Sequence, residues 1–232
     1  MQIVDRLSPN HDPRTGAVDM LILHYTGMVD QPAALARLTD PTAKVSAHYL
    51  IGEDGAIIRL VPEDRCAWHA GVSHWRSRAD INGASIGIEL VNPGHEFGYR
   101  DFPAAQMAAL AELAKDIVAR HKIPTRHVLG HSDVAIGRKQ DPGERFDWRW
   151  LAQHGIGLWP DFAATPSTGN VAALQRDLAA FGYRCPMTGA LDADTQAAVR
   201  AFQLHFRPTR VDGMADDETR ARAAAVARAA DV

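Results

Sequence analysis

The chain has 232 residues, of which 46% are hydrophobic and 23% charged, a balance that excludes a disordered or fibrous protein. The formal net charge is −3 and the pI is near 6.4, so no global positive field draws it to nucleic acid or an anionic membrane. The two cysteines, Cys66 and Cys185, are far apart and predict no disulfide framework, whereas the 11 histidines are a compositional excess whose positions matter.

In chain order, Val18 to Leu23 is an almost continuous apolar run and predicts a buried strand ending at His24. Ala33 to Leu38 predicts a short helix, and Ser46 to Ile51 a second strand. Glu53-Asp54-Gly55 is a turn signal, which makes Ala56 to Leu60 a hairpin partner. Residues 62–84 show no period and predict a long loop of the kind that carries function. Ser85 to Val91 predicts another strand. Pro103 then opens a helix with Met107, Leu110, Ala114, Ile117, Val118 and His121 on one face, stopping before Pro124. His127 to Leu129 predicts a short strand.

The stretch GIGLWPDFAATPSTGN loses periodicity and reads as a linker. Beyond it, Val171, Leu174, Leu178 and Phe181 fall at helical spacing, as do Ala198, Val199, Phe202 and Phe206, and residues 216–230 are helix-prone. Strands mixed with helices give an α/β or α+β layered domain. The expectation is an α/β fold with a mixed central β-sheet flanked by helices, followed by a small all-α three-helix C-terminal domain. The boundaries are 1–157, a linker at 158–169, and 170–232. No 18-residue apolar run exists, so no membrane span is expected. The N-terminal segment lacks the apolar core of a signal peptide. A cytoplasmic location follows from the residues as written, and a periplasmic or cell-envelope one if an export signal was removed or lies upstream.

Several residues are candidates for chemistry. His24 at a strand end is either a metal ligand or a capping histidine. In GHSDVAIGRKQDPG, His131 and Asp141 lie ten apart on a loop with a rigid tail, which either turns both side chains to one point or is a polar surface loop. Alternation puts Ile86, Ile88 and Leu90 on one face of their strand and Glu89 on the other with Gly87. A carboxylate there is either a buried general base with a raised pKa or an edge-strand glutamate facing water. Lys139 is an oxyanion-stabilising cation or an exposed loop lysine. Trp68, His69, His74 and Trp75 crowd the long loop, either to stack on a ligand or to form a hydrophobic cluster under it.

Five segments, LILHYT (21–26), VSAHYLI (45–51), CAWHAG (66–71), SIGIEL (85–90) and GHSDVAIGRKQDPG (130–143), occur in the order found in the zinc-dependent N-acetylmuramoyl-L-alanine amidases. The chain resembles that type-2 amidase family, which includes T7-type phage lysozyme and the peptidoglycan recognition proteins, and within it the bacterial AmpD/AmiD group. The resemblance implies one Zn2+ per chain on His24, His131 and Asp141, with Glu89 as general base and Lys139 stabilising the oxyanion. It places Trp68, His69 and Asn82 in segments that line the substrate groove. Ala47 stands where the T7-type branch has a catalytic tyrosine, which leaves the base role to Glu89.

LQRDLAAFGY (174–183) and TGALDADTQAAVRAFQ (188–203) resemble the peptidoglycan-binding domain 1 family, with a departure after Phe206. That module is either a wall-binding unit or a structural cap on the first domain. The implied activity is hydrolysis of the amide between the lactyl group of N-acetylmuramic acid and L-alanine, on peptidoglycan or muropeptides, by a protein taken as a monomer by default. The alternatives are a non-catalytic peptidoglycan-recognition protein with a residual zinc site, and a zinc peptidase acting within the stem peptide.

Overall fold

The computed structural model describes residues 1–162 and 169–230. Its elements in chain order begin with β1 (Ile3–Asp5), β2 (His11–Pro13), β3 (Met20–Tyr25), α1 (Gln31–Thr39), β4 (Tyr49–Ile51), β5 (Ile57–Arg59), β6 (Arg65–Ala67), α2 (Ile81–Ala84) and β7 (Ser85–Leu90). They continue with α3 (Gly94–Phe97), α4 (Ala104–His121), β8 (Val128–Gly130), α5 (His131–Val134) and α6 (Trp148–Gln153). The C-terminal helices are α7 (Val171–Phe181), α8 (Ala193–Phe206) and α9 (Asp217–Ala230). The main sheet runs β1-β5-β4-β7-β3-β8. It is mixed: β4, β7, β3 and β8 are parallel neighbours, and β5 is antiparallel to β4, as the turn signal at 53–55 predicts.

Alternation in the two central strands divides the interior into two layers. Leu21 and Leu23 of β3 and Ile86, Ile88 and Leu90 of β7 face α4, meeting Met107, Leu110, Ala114 and Ile117. Met20 and Ile22 face the opposite way. There they join Leu129, Val134 and Trp75, and also Leu174, Leu178, Phe181, Phe202 and Phe206 of the C-terminal helices. The helical region therefore covers one face of the sheet and shares its core.

Several expectations meet differences. The loop 62–84 contains β6, paired antiparallel with β2, and the short α2. Trp75 in that loop is fully buried, edge-on to Phe181 at 5.3 Å and to Tyr183 at 5.2 Å. Of its two readings, the hydrophobic cluster is the one the structure shows. Gly182 permits this approach, because a Cβ there would lie 2.4 Å from the Trp75 ring. The linker expected at 158–169 falls in part on residues 163–168, outside the described residues. Its first part packs: Leu158, Trp159 and Phe162 lie against the core shared with the C-terminal helices. Aperiodic composition registers the absence of helix or strand, not the absence of packing.

Candidate metal centre and active site

The candidate residues come together where β3, β7 and β8 end, at the carboxyl edge of the parallel strands. His24 on β3 pairs in register with Glu89 on β7. His131 is the first residue of α5, directly after β8. Asp141 returns to it through the bond from the Ser132 amide to the Asp141 carbonyl, 2.9 Å. All four side chains are buried.

Three atoms converge. His24 Nδ1, His131 Nδ1 and Asp141 Oδ2 lie 3.0 Å from one another. Hydrogen bonds behind the rings decide where the imidazole protons sit. Ser85 donates its hydroxyl proton to the Ile81 carbonyl at 2.6 Å. The Ser85 oxygen therefore accepts from His69 Nε2 at 3.1 Å, and His69 Nδ1 accepts from His24 Nε2 at 3.0 Å. Likewise His131 Nε2 donates to the Ala70 carbonyl at 3.0 Å, and the Arg138 guanidinium donates to that same oxygen at 2.6 Å. Both Nδ1 atoms of the neutral rings are thereby left as bare acceptors facing a carboxylate oxygen.

Three acceptors with no proton between them repel unless a cation lies among them. Donors at 2.0–2.1 Å from a tetrahedral ion stand about 3.3 Å apart, close to the observed spacing. Two imidazoles and a carboxylate suit a catalytic zinc and leave a position open. Their outer nitrogens are already held by hydrogen bonds, as ligands of this kind require. Among the described residues, this trio is the one His/Cys/Asp/Glu cluster able to hold a metal ion.

The electrostatics agree. Burial depresses His24 to a pKa of about 4, keeping it neutral. The Asp141 carboxyl is held well below the usual carboxylate range, in spite of its burial, by the two imidazoles against it, and so presents a carboxylate oxygen to them. Burial and the Asp141 charge push Glu89 well above its ordinary value, with Lys139 opposing. Glu89 Oε2 is buried with no hydrogen-bond partner. Lys139 is exposed on the rim.

An open cleft of about 950 Å³ is lined by Glu89, His131, Lys139 and Asp141. Tyr25 and His95 line one part of it, and Arg138 and Lys139 another. Gln196, Arg200 and Leu204 of α8 also face it, so the C-terminal region supplies part of the wall. The three groove residues named from sequence part ways here. His69 touches the cleft but is chiefly the support behind His24. Asn82 holds the loop, its side-chain oxygen accepting from the His69 and Ala70 amides at 3.1 and 2.8 Å. Trp68 donates to Asp12 at 2.7 Å and, like Asn82, is outside the cleft lining. Sequence reasoning did not reach Tyr25, His95, Arg138 or the α8 wall. Tyr25, as the neighbour of His24, and Arg138, as the neighbour of Lys139, were open to inference by position.

Comparison with known proteins agrees with this geometry. Residues 14–144 match the family model described as N-acetylmuramoyl-L-alanine amidase, and residues 167–222 one described as a putative peptidoglycan binding domain. The chain is 41% identical to the N-acetylmuramoyl-L-alanine amidase AmiD of Escherichia coli K12, over 90% of this chain and 82% of that protein. The solved complex of E. coli AmiD with anhydro-N-acetylmuramic acid-L-Ala-D-gamma-Glu-L-Lys superposes with a TM-score of 0.82 at 40% identity, covering 97% of this chain and 93% of that one. AmpDh3 of Pseudomonas aeruginosa, in complex with anhydromuramic pentapeptide, gives a TM-score of 0.80 at 37% identity, over 95% of this chain and 94% of that one.

Proposed function

The chain belongs to the N-acetylmuramoyl-L-alanine amidase family, and from that membership we propose how its residues perform the reaction. The protein is an amidase that hydrolyses the bond between the lactyl group of N-acetylmuramic acid and L-alanine, in cell-wall degradation and recycling. Its metal is zinc, held by His24, His131 and Asp141. The convergence of three bare acceptor atoms at 3.0 Å carries this reading. Zinc bound there supplies a Lewis acid for the scissile carbonyl and lowers the pKa of a water toward about 7.

The protein's own groups supply the rest. Glu89 is the general base: its unpartnered oxygen takes the proton of the attacking water and hands it to the departing L-alanine amine. Water is largely excluded around Glu89, which keeps its proton affinity high enough for that exchange. Lys139, exposed on the cleft rim, sets a positive charge against the developing oxyanion. The substrate class is the muropeptide and its polymer; the AmiD and AmpDh3 complexes hold muropeptides of this kind.

Mass spectrometry of products from 1,6-anhydro muropeptides tests the reading. Release of intact stem peptide with a free L-alanine amine is expected, abolished by EDTA and restored by zinc. Cleavage within the stem peptide, or no cleavage with zinc bound stoichiometrically, would overturn it.

A further inference from the structure

Asp133 is fully buried two residues after His131, yet it has no place in the chemistry above. Its carboxylate accepts three hydrogen bonds. One Oδ2 contact comes from the Gly130 amide at 2.7 Å, closing the first turn of α5 from inside. The other partners belong to the C-terminal helices. His205 on α8 donates through Nδ1 to Oδ2 at 2.8 Å, and the Tyr183 hydroxyl donates to Oδ1 at 2.6 Å. Both partners are held in place by packing. His205 stacks on Trp148 at 3.8 Å and on Phe206 at 4.0 Å, and Tyr183 meets Trp75 and Phe202 edge-on.

We propose that Tyr183 and His205 are positioning residues for the metal centre, fixing through Asp133 the strand-to-helix turn that aims His131. The physical reason is the cost of a buried carboxylate. With both outer donors present, Asp133 is satisfied and its short bond to Gly130 holds the turn. With a donor removed, the under-satisfied carboxylate is driven to rotate away from Gly130 toward water or to open the interface. Either movement turns the His131 backbone. The opposite side of the turn is already tied, by the Ser132 amide to the Asp141 carbonyl and by the close fit of Pro142 on Gly130, where a Cβ would lie 2.8 Å from the proline ring. The slack therefore appears in the distance between His131 and Asp141. The inference rests on the metal reading of His24, His131 and Asp141 and assigns the helical region a part in maintaining it.

The test is zinc affinity of the full chain, by competition with a chromophoric chelator, alongside kcat and KM on a soluble muropeptide. Tyr183→Phe combined with His205→Leu is expected to weaken zinc binding by about 10–100-fold, the range for lost support behind a ligand. It should lower kcat and leave KM close to that of the unmodified protein. His205→Gln, which keeps a donor, should restore much of the affinity. Val226→Ala on α9 loosens the shared core at a residue that makes no hydrogen bond or ring contact with Asp133, Tyr183 or His205, and should leave zinc affinity unchanged. Undiminished affinity in the double variant would overturn the proposal, as would an equal loss in Val226→Ala. If the double variant does not fold, Tyr183→Phe alone deletes one oxygen and decides on the same readout. Wild-type protein that takes up no zinc would instead overturn the metal reading, and this proposal with it.

Discussion

Glu89 and His48 show how burial sets the behaviour of single groups. Glu89 shares the sheet face of His24, and its unpaired oxygen has no structural bond to lose. Glu89→Gln is close in size and should retain zinc at full stoichiometry while turnover falls by about 10²–10⁴-fold, the usual worth of a positioned base. Steady-state kinetics and metal analysis on one preparation check both halves. His48 is buried beneath the site with Nδ1 accepting from the Gly87 amide at 2.9 Å. Burial, reinforced by Arg14, holds its pKa at about 3. The unfolded chain protonates His48 near pH 6.5, the folded protein only near 3. Stability from this group is complete above pH 6.5 and is lost as pH falls toward 3, at up to about 1.4 kcal/mol per pH unit. His48→Gln should flatten the stability profile in that window, measured by urea unfolding between pH 4 and 7.

At the scale of elements, β7 owes its sequence to what lies above it. Ile86, Ile88 and Leu90 bind the strand to α4. Gly87 faces the other way, and the space it leaves is filled by His69, whose ring would lie 2.5 Å from a Cβ at that position. His69 cannot withdraw easily, because its backbone amide is fixed by Asn82 and its ring by Ser85 and His24. Gly87→Ala should cost about 1–3 kcal/mol by overpacking. It should also loosen zinc, since His69 is what keeps the His24 Nδ1 lone pair turned inward. Thermal unfolding with and without zinc separates the two effects: stability regained fully on adding zinc would contradict the second.

For the molecule as a whole, the helical region is part of one structure with the sheet. Met20, Ile22, Leu129 and Val134 pack with Phe181, Phe202 and Phe206, and Trp75 is wedged against Phe181 and Tyr183. A chain ending at residue 162 would expose that layer and leave Asp133 without two of its three donors. It should lose cooperative unfolding or melt well below the full chain, as differential scanning calorimetry would show. A truncated chain with an unchanged melting temperature would contradict this. The structural-cap reading of the module thus gains support from packing, and the α8 residues on the cleft wall place the same region beside the substrate.

The amino-acid sequence alone determined what local chemistry can encode. The apolar run before His24, the alternation around Glu89, the turn at Asp54-Gly55, the face of α4 and the three C-terminal helices were all legible, because period and turn chemistry act over a few residues. The five ordered segments brought His24, Glu89, His131, Lys139 and Asp141 together as a set. Only the tertiary structure decided the rest. Whether Glu89 faced water or core depended on the elements packed above β7. That Trp75 is a core anchor, Asn82 a loop clasp and His69 the support of His24 depended on contacts with distant elements. The exchange of hydrogen bonds between Asp133, Tyr183 and His205 spans 50 and 72 residues. No local period carries such a pairing, since the buried carboxylate and its donors become costly, and therefore partnered, only once the two regions have closed over them.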